Sequence, residues 1–185
     1  MKHVKKAHRT RLATAGAVVA LGLAGAGAYS ASAGGEQADA PVAATGAATA
    51  HTASADRLTI AAATKAARAA LDAAEAENQR VTVAVVDRDG NTLVTLRGDG
   101  AGPQSPESAE RKAYTAVAWN APTSVLAGRL AQAPHLKDIP GTLFLGGGAP
   151  VTASGAPVAG IGVAGAPSGD LDEKFARAGV AALEK

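Results

Sequence analysis

Three side chains in the middle of the sequence have types and spacing that suit ligand binding. Arg111, Thr115 and Trp119 follow one another at intervals of four residues, so on a helix they lie on one side. Together they offer a guanidinium for an acidic group, a hydroxyl as a weak ligand and an indole as a flat apolar surface. The alternative is structural: Thr115 bonds to the preceding helical turn, and Trp119 is a packing residue.

Histidine and tyrosine supply the few conventional metal ligands. His3 and His8 belong to the N-terminal leader described below, which leaves His51 and His135. His51 falls in a predicted linker. His135 precedes a predicted strand, where it lies either at the edge of a binding site or on an ordinary surface loop. Tyr114 is adjacent to Thr115 and therefore about 100° away around a helix, so we assign it to the core.

Asp72 and Glu75 form a possible iron site on the first predicted helix. They are three residues apart and share a helix face. Two exposed carboxylates can hold a hard cation weakly, with water completing its coordination, or they can simply keep the helix solvated.

Motifs for hydrolytic or phosphate chemistry are absent from the sequence. There is no Gly-x-Ser-x-Gly motif, and the glycines of residues 146–148 lack the Gly-Lys-Ser/Thr ending of a phosphate-binding loop. The absence of cysteine excludes disulfides and thiolate ligands. The case for catalysis from the residues alone is therefore thin.

The first 33 residues have the pattern of a secretory signal peptide. Five basic residues precede an apolar run over residues 12–28, and Ala31-Ser32-Ala33 provides a cleavage site. Removing this leader takes five of the 18 basic residues and none of the 16 acidic ones, so the remaining chain carries a net charge of −3. We therefore predict an extracytoplasmic protein and exclude a nucleic-acid partner.

The rest of the chain divides into a linker and one domain. Residues 34–55 consist largely of Ala, Thr, Gly and Pro, a composition that predicts a disordered linker. The domain then spans residues 56–185. Its patterns predict helices at 58–78, 107–120, 123–132 and 170–183, and strands at 81–86, 92–97, 142–145 and 158–164. Thr59 and Asp170 are the predicted caps of the first and last helices.

The tight turns favour hairpins over crossover connections. Asp89-Gly90 and Ser154-Gly155 are turn sequences between paired strands. This order predicts an α/β (α+β) fold in which helices pack on the faces of an antiparallel sheet. Glycines at 160, 162 and 165 in the last strand would let a helix or another subunit approach closely.

Four motifs in this order resemble the GlcG/HbpS family of haem-binding and haem-degrading proteins. They are Val83-Ala84-Val85-Val86-Asp87-Arg88-Asp89-Gly90, Glu110-Arg111-Lys112-Ala113-Tyr114-Thr115-Ala116, Gly146-Gly147-Gly148-Ala149-Pro150-Val151 and Gly160-Ile161-Gly162-Val163-Ala164-Gly165. The resemblance implies a profilin-like fold, a homo-octamer, binding of haem and iron, and partnership with a membrane sensor kinase in redox signalling.

The resemblance also implies roles for particular residues. Thr115 is the position that would contact the haem iron. For such a ligand, the spacing on the helix would put Arg111 near a propionate and Trp119 at the porphyrin edge, and His135 is a further candidate from its own position before a strand. Asp72 and Glu75 would bind iron. Two other functions stay open: slow degradation of haem, and binding of a small molecule by a relative without a haem role.

Overall fold

The first helix begins where the sequence provides a cap. The computed structural model describes residues 55–184, in which α1 spans Ile60–Ala76. The Thr59 hydroxyl accepts a hydrogen bond from the Ala62 amide at 3.2 Å, which satisfies an amide that has no partner within the helix. The buried face of α1 is alanine apart from Leu71. The predicted helix and cap are confirmed, although Ile60 is exposed.

The sheet is antiparallel and contains four strands among the described residues. They are β1 (Thr82–Asp87), β2 (Thr92–Arg97), β3 (Gly148–Ala153) and β4 (Ala156–Ala164), in the spatial order β2-β1-β4-β3. Every residue of β1 is buried, as its continuous apolar sequence predicts for a strand covered on both faces.

Both predicted hairpin turns are confirmed. In the first, Gly90 has a φ of 88°, and the Asp87 carboxylate accepts hydrogen bonds from the amides of Asp89 and Asn91. In the second, Ser154 and Gly155 have φ values of 52° and 79°. Two successive positive φ values are the geometry of a two-residue hairpin turn.

Helices cover both faces of the sheet. The remaining ones are α2 (Ser105–Trp119), α3 (Thr123–Arg129), α4 (Gly169–Ala181) and a short 3₁₀-helix, Pro134–Asp138. α1 and α4 share the main core with one face of the sheet, while α2 packs on the other through Ala109 and Ala113. A Cβ at Gly160 or Gly162 would collide with the backbone of α2, so these glycines permit the predicted close approach of a helix.

Three local predictions need correction. Residues 142–145 are not a strand, because the backbone of Thr142 and Leu143 bonds to side chains of α2 instead of to a neighbouring strand. The residue that caps α4 is Ser168, whose hydroxyl accepts from the Leu171 amide. His135 lies in the 3₁₀-helix and not in a loop.

The N-terminal predictions lie outside the described residues. These are the signal peptide at 1–33, all but the last residue of the linker at 34–55, and His51. Within residues 55–184, no helix has both the length and the apolar character needed to span a membrane.

Candidate functional site

The structure brings Arg111, Thr115 and Trp119 together on the side of α2 that does not face the sheet. Each of the three contacts one residue of the segment 142–144. Arg111 Nη2 donates to the Thr142 carbonyl at 2.8 Å, and Thr115 Oγ1 accepts from the Leu143 amide at 2.8 Å. The Trp119 ring meets that of Phe144 edge to face, with the centroids 5.3 Å apart. We call residues 142–144 the strap.

Thr115 is fully buried beneath the strap. Its hydroxyl donates to the Arg111 carbonyl at 2.7 Å while accepting from Leu143, so it does bond to the preceding turn, as the structural alternative expected. A hydroxyl oxygen has two lone pairs, and the second has no partner among the described residues. Since Thr115 has no exposed surface, a metal ion can reach that lone pair only if neighbouring atoms move.

Arg111 leaves part of its guanidinium free for a ligand. Its side chain is 41% exposed. Besides the bond to Thr142, Nη1 lies 3.6 Å from Glu107 Oε1. A guanidinium carries five N–H donors, so donors remain that can bind a carboxylate from solvent.

The aromatic residues of α2 divide between two sides of the helix. Trp119 is half-buried against Phe144. Tyr114 is also half-buried and packs on the cluster of Val86, Ala113 and Val117, in agreement with its assignment to the core.

His135 lies apart from this arrangement. Its side chain is 94% exposed, and its only ionic partner among the described residues is Asp138, with Nδ1 3.4 Å from Oδ2. It makes no hydrogen bond to α2 or to the strap.

Asp72 and Glu75 share an exposed face of α1, as their spacing predicts. Arg68 lies between them, with Nη2 2.6 Å from Asp72 Oδ1 and 3.4 Å from Glu75 Oε2. Residues 55–184 contain no cluster of three or more His, Cys, Asp or Glu side chains arranged for a metal ion. A cation here would have two protein ligands and would compete with Arg68.

A buried polar network between α2 and α4 was not predicted from the sequence. Lys112 Nζ lies 2.8 Å from Asp172 Oδ2 and donates to the Val163 carbonyl at 3.0 Å. Burial raises the pKa of Asp172, although its hydrogen bond and ion pair with Lys112 act in the opposite direction. An open cavity of about 470 Å³ borders this pair.

Glu173 forms the second part of the network. Its carboxylate accepts from the Ser124 amide at 3.0 Å and from the Ser124 hydroxyl at 2.8 Å, and Arg177 Nη2 lies 2.7 Å away. Burial would raise the pKa of Glu173, but the hydrogen bonds from Arg177 and Ser124 outweigh it and lower that pKa. Glu173 thus supplies α3 with the cap that Pro122 cannot provide.

The fold and this site define a mixed α/β domain with a polar and aromatic helix face covered by a strap. The model of the family described as "Haem degrading protein HbpS-like" matches residues 58–181. The chain therefore belongs to the HbpS-like family, which confirms the predicted resemblance. Membership gives it a haem-related function. A search of curated proteins found no match.

Solved structures support the same assignment. A crystal structure of HbpS from Streptomyces reticuli, with two glutamates replaced by aspartate, is 74% identical, has a TM-score of 0.73, and aligns over 78% of this chain and 97% of that one. The Klebsiella pneumoniae protein ORFY is 26% identical, with a TM-score of 0.69 and coverage of 72% and 95%. A PduOC:Heme complex is 28% identical, with a TM-score of 0.63 and coverage of 69% and 95%. The predicted α/β fold class is confirmed by these neighbours.

Proposed function

We propose that this chain is an extracytoplasmic haem-binding protein and that haem binds along the Arg111, Thr115 and Trp119 face of α2. The observation that carries the proposal is the row of three side chains, with a partly free guanidinium at one end and a half-buried indole at the other. Eight residues of helix separate the two ends, a length of about 12 Å. The PduOC relative, solved as a complex with haem, supports the same ligand.

The chemistry of the three groups fits a porphyrin. Haem combines a broad apolar ring with anionic propionates, so it needs an aromatic wall and a cation at one edge. Trp119 supplies the first and Arg111 the second. Thr115 would offer a neutral oxygen to the iron. Such an oxygen is a weaker ligand than the His, Cys, Met or Tyr ligands usual for haem iron, and weak ligation suits an exchangeable haem.

Titration of the mature protein with haemin tests the proposal. We expect a Soret shift at micromolar haemin, together with quenching of Trp119, the single tryptophan of the chain. The absence of both would reject haem binding.

A matched pair of valine variants tests the ligand role of Thr115. Thr115 and Thr123 are both fully buried, and each hydroxyl accepts a backbone amide at 2.8 Å. Replacing either by valine leaves one backbone amide without its partner, at a cost of up to about 1–3 kcal/mol. Only Thr115→Val should change the position of the Soret band. Equal spectra for both variants and the wild type would remove Thr115 as the iron contact.

The exported, oligomeric and signalling roles are supported by the sequence and the resemblance. The signal-peptide pattern of residues 1–33 supports export. The resemblance supports a homo-octamer that acts with a membrane sensor kinase in the response to oxidative stress. Mass spectrometry of the exported protein should give an N-terminus at residue 34, and size-exclusion chromatography with light scattering should give the octamer.

Iron binding by Asp72 and Glu75 is a second part of the proposal. Arg68 neutralises both carboxylates, so we expect Arg68→Ala to strengthen Fe²⁺ binding and Asp72→Asn to weaken it. Calorimetry with Fe²⁺ in the absence of haem measures both effects. Equal binding by the two variants would place the iron elsewhere.

Haem degradation is the alternative function, and the family description favours it. A degrading enzyme would consume the Soret band of bound haem and release iron when a reductant or peroxide is added. A binding protein would keep its spectrum. If this chain binds a different small molecule instead, haemin would give no Soret band of bound haem to be consumed or retained.

A further inference from the structure

We propose that the strap, residues 142–144, is a lid that has to lift from α2 before haem reaches Thr115. This inference rests on the proposed haem site and adds a control step to it. Each of the three candidate haem contacts holds one residue of the strap: Arg111 holds Thr142, Thr115 holds Leu143 and Trp119 holds Phe144. The strap and haem therefore compete for the same side chains.

The strap makes few hydrogen bonds to the rest of the fold. Within the part of the chain that the structure describes, both of its hydrogen bonds to another element end on side chains of α2. The other hydrogen bonds of Thr142 run to the Ile139 carbonyl, only three residues away. Opening would also expose the buried side chains of Thr142 and Phe144. Because the strap lies outside the strand ladder, it can open without breaking the hydrogen bonds of the sheet.

Glycines flank the strap where the chain would have to turn. Gly141 has a φ of 78° and Gly147 a φ of 127°, values that L side chains rarely adopt. Beyond Gly147 the chain is fixed again, because its carbonyl accepts from the Val163 amide at 2.8 Å. The opening motion would therefore involve only the chain between Gly141 and Gly147, since Gly147 is bonded to β4.

Competition of this kind lowers the apparent affinity for haem. If only the open form binds, the apparent dissociation constant equals the intrinsic one divided by the open fraction. Weakening the contacts of the strap without replacing Arg111, Thr115 or Trp119 should then tighten haem binding. An edge-to-face aromatic contact is the part of the strap that can be weakened alone.

Phe144→Leu provides this perturbation, and Leu145→Ala is its control. Leucine keeps an apolar side chain at a buried position but loses the ring contact with Trp119. We expect roughly two- to tenfold tighter and faster haemin binding, the range given by the usual strength of such contacts. Leu145 is exposed and lies just outside the strap, so its truncation should leave binding unchanged. Weaker or unchanged haemin binding by Phe144→Leu would overturn the proposal that the strap is a lid.

Hydrogen exchange of the Leu143 amide gives an independent measurement on the wild type. This amide is bonded to the Thr115 hydroxyl, and we expect it to lose protection when the protein is saturated with haemin. Haemin binding with unchanged or increased protection of Leu143 would refute the lid and leave the haem site standing. Failure of the wild type to bind haemin would refute both.

Discussion

Removal of the buried ammonium of Lys112 tests the packing that fixes α2 against α4. Lys112 and Asp172 are both buried, and their charged atoms lie 2.8 Å apart. Breaking a buried ion pair from one side costs about 3–5 kcal/mol, because the remaining charge stays in a poorly solvated place without its partner. We expect Lys112→Met to lower the free energy of unfolding by about this amount near neutral pH.

Two further variants serve as controls for this loss of stability. Lys174 pairs with Glu77 on the surface, and Lys174→Met should cost only about 0–1 kcal/mol, since exposed pairs are well screened. The double variant Lys112→Met/Asp172→Leu leaves no buried charge behind. It should therefore recover most of the stability that the single variant loses.

The loss in Lys112→Met should also depend on pH with a known sign. Burial raises the pKa of Asp172 even when Lys112 opposes it, and without Lys112 that pKa rises further. A carboxyl group whose pKa is higher in the folded state stabilises the fold fully only below its unfolded pKa, and this contribution is lost as the pH rises through the folded pKa. The deficit should therefore shrink as the pH falls toward about 4, the ordinary pKa of aspartate.

Urea unfolding followed by Trp119 fluorescence measures these free energies at each pH. A loss in Lys112→Met no larger than that in Lys174→Met would refute the assignment of a buried, uncompensated charge. A loss of stability in Lys112→Met that is equally large near neutral pH and at about pH 4 would refute that assignment as well.

Three other substitutions test the positions of α3 and α2. Glu173→Gln should cost about 1 kcal/mol, because Ser124 loses a charged cap. Since the folded pKa of Glu173 is lowered, its contribution is present above the unfolded pKa and lost as the pH falls through the folded one, so urea unfolding of the two proteins should converge in acid. Gly162→Ala should fail to fold or unfold at a much lower temperature, because its Cβ would collide with the Ala109 carbonyl. In Gly128→Ala the new Cβ meets nothing within 4 Å, and a gain of about 0.5–1 kcal/mol is expected; equal melting temperatures for the two alanine variants would contradict the close approach of α2 to β4.

Local patterns were sufficient to predict most of the fold. The continuous apolar sequence of β1, the cap at Thr59 and the turns at Gly90 and Gly155 each depend on residues close together in the chain. Their physical causes are therefore visible in the sequence. The order of elements followed from the same signals, because tight turns allow only antiparallel pairing of successive strands.

Contacts between distant residues could not be predicted in this way. Lys112 and Asp172 are 60 residues apart, and nothing near either one marks it as buried; on their own helices they look like ordinary surface charges. The predicted strand at residues 142–145 was wrong for a related reason. Residues 142–145 have the composition of a strand, but the bonding partners of Thr142 and Leu143 are side chains of α2, more than 25 residues earlier.

The candidate site depends on these long-range contacts in a definite order. Gly160 and Gly162 let α2 lie directly on β4, and the ion pair of Lys112 with Asp172 fixes the helix against α4. With one side of α2 held in this way, the row from Arg111 to Trp119 is turned toward the strap and not toward the sheet. The sequence could therefore identify which three residues form a row, while the cover over that row, and with it the competition between strap and haem, is a property of the folded chain.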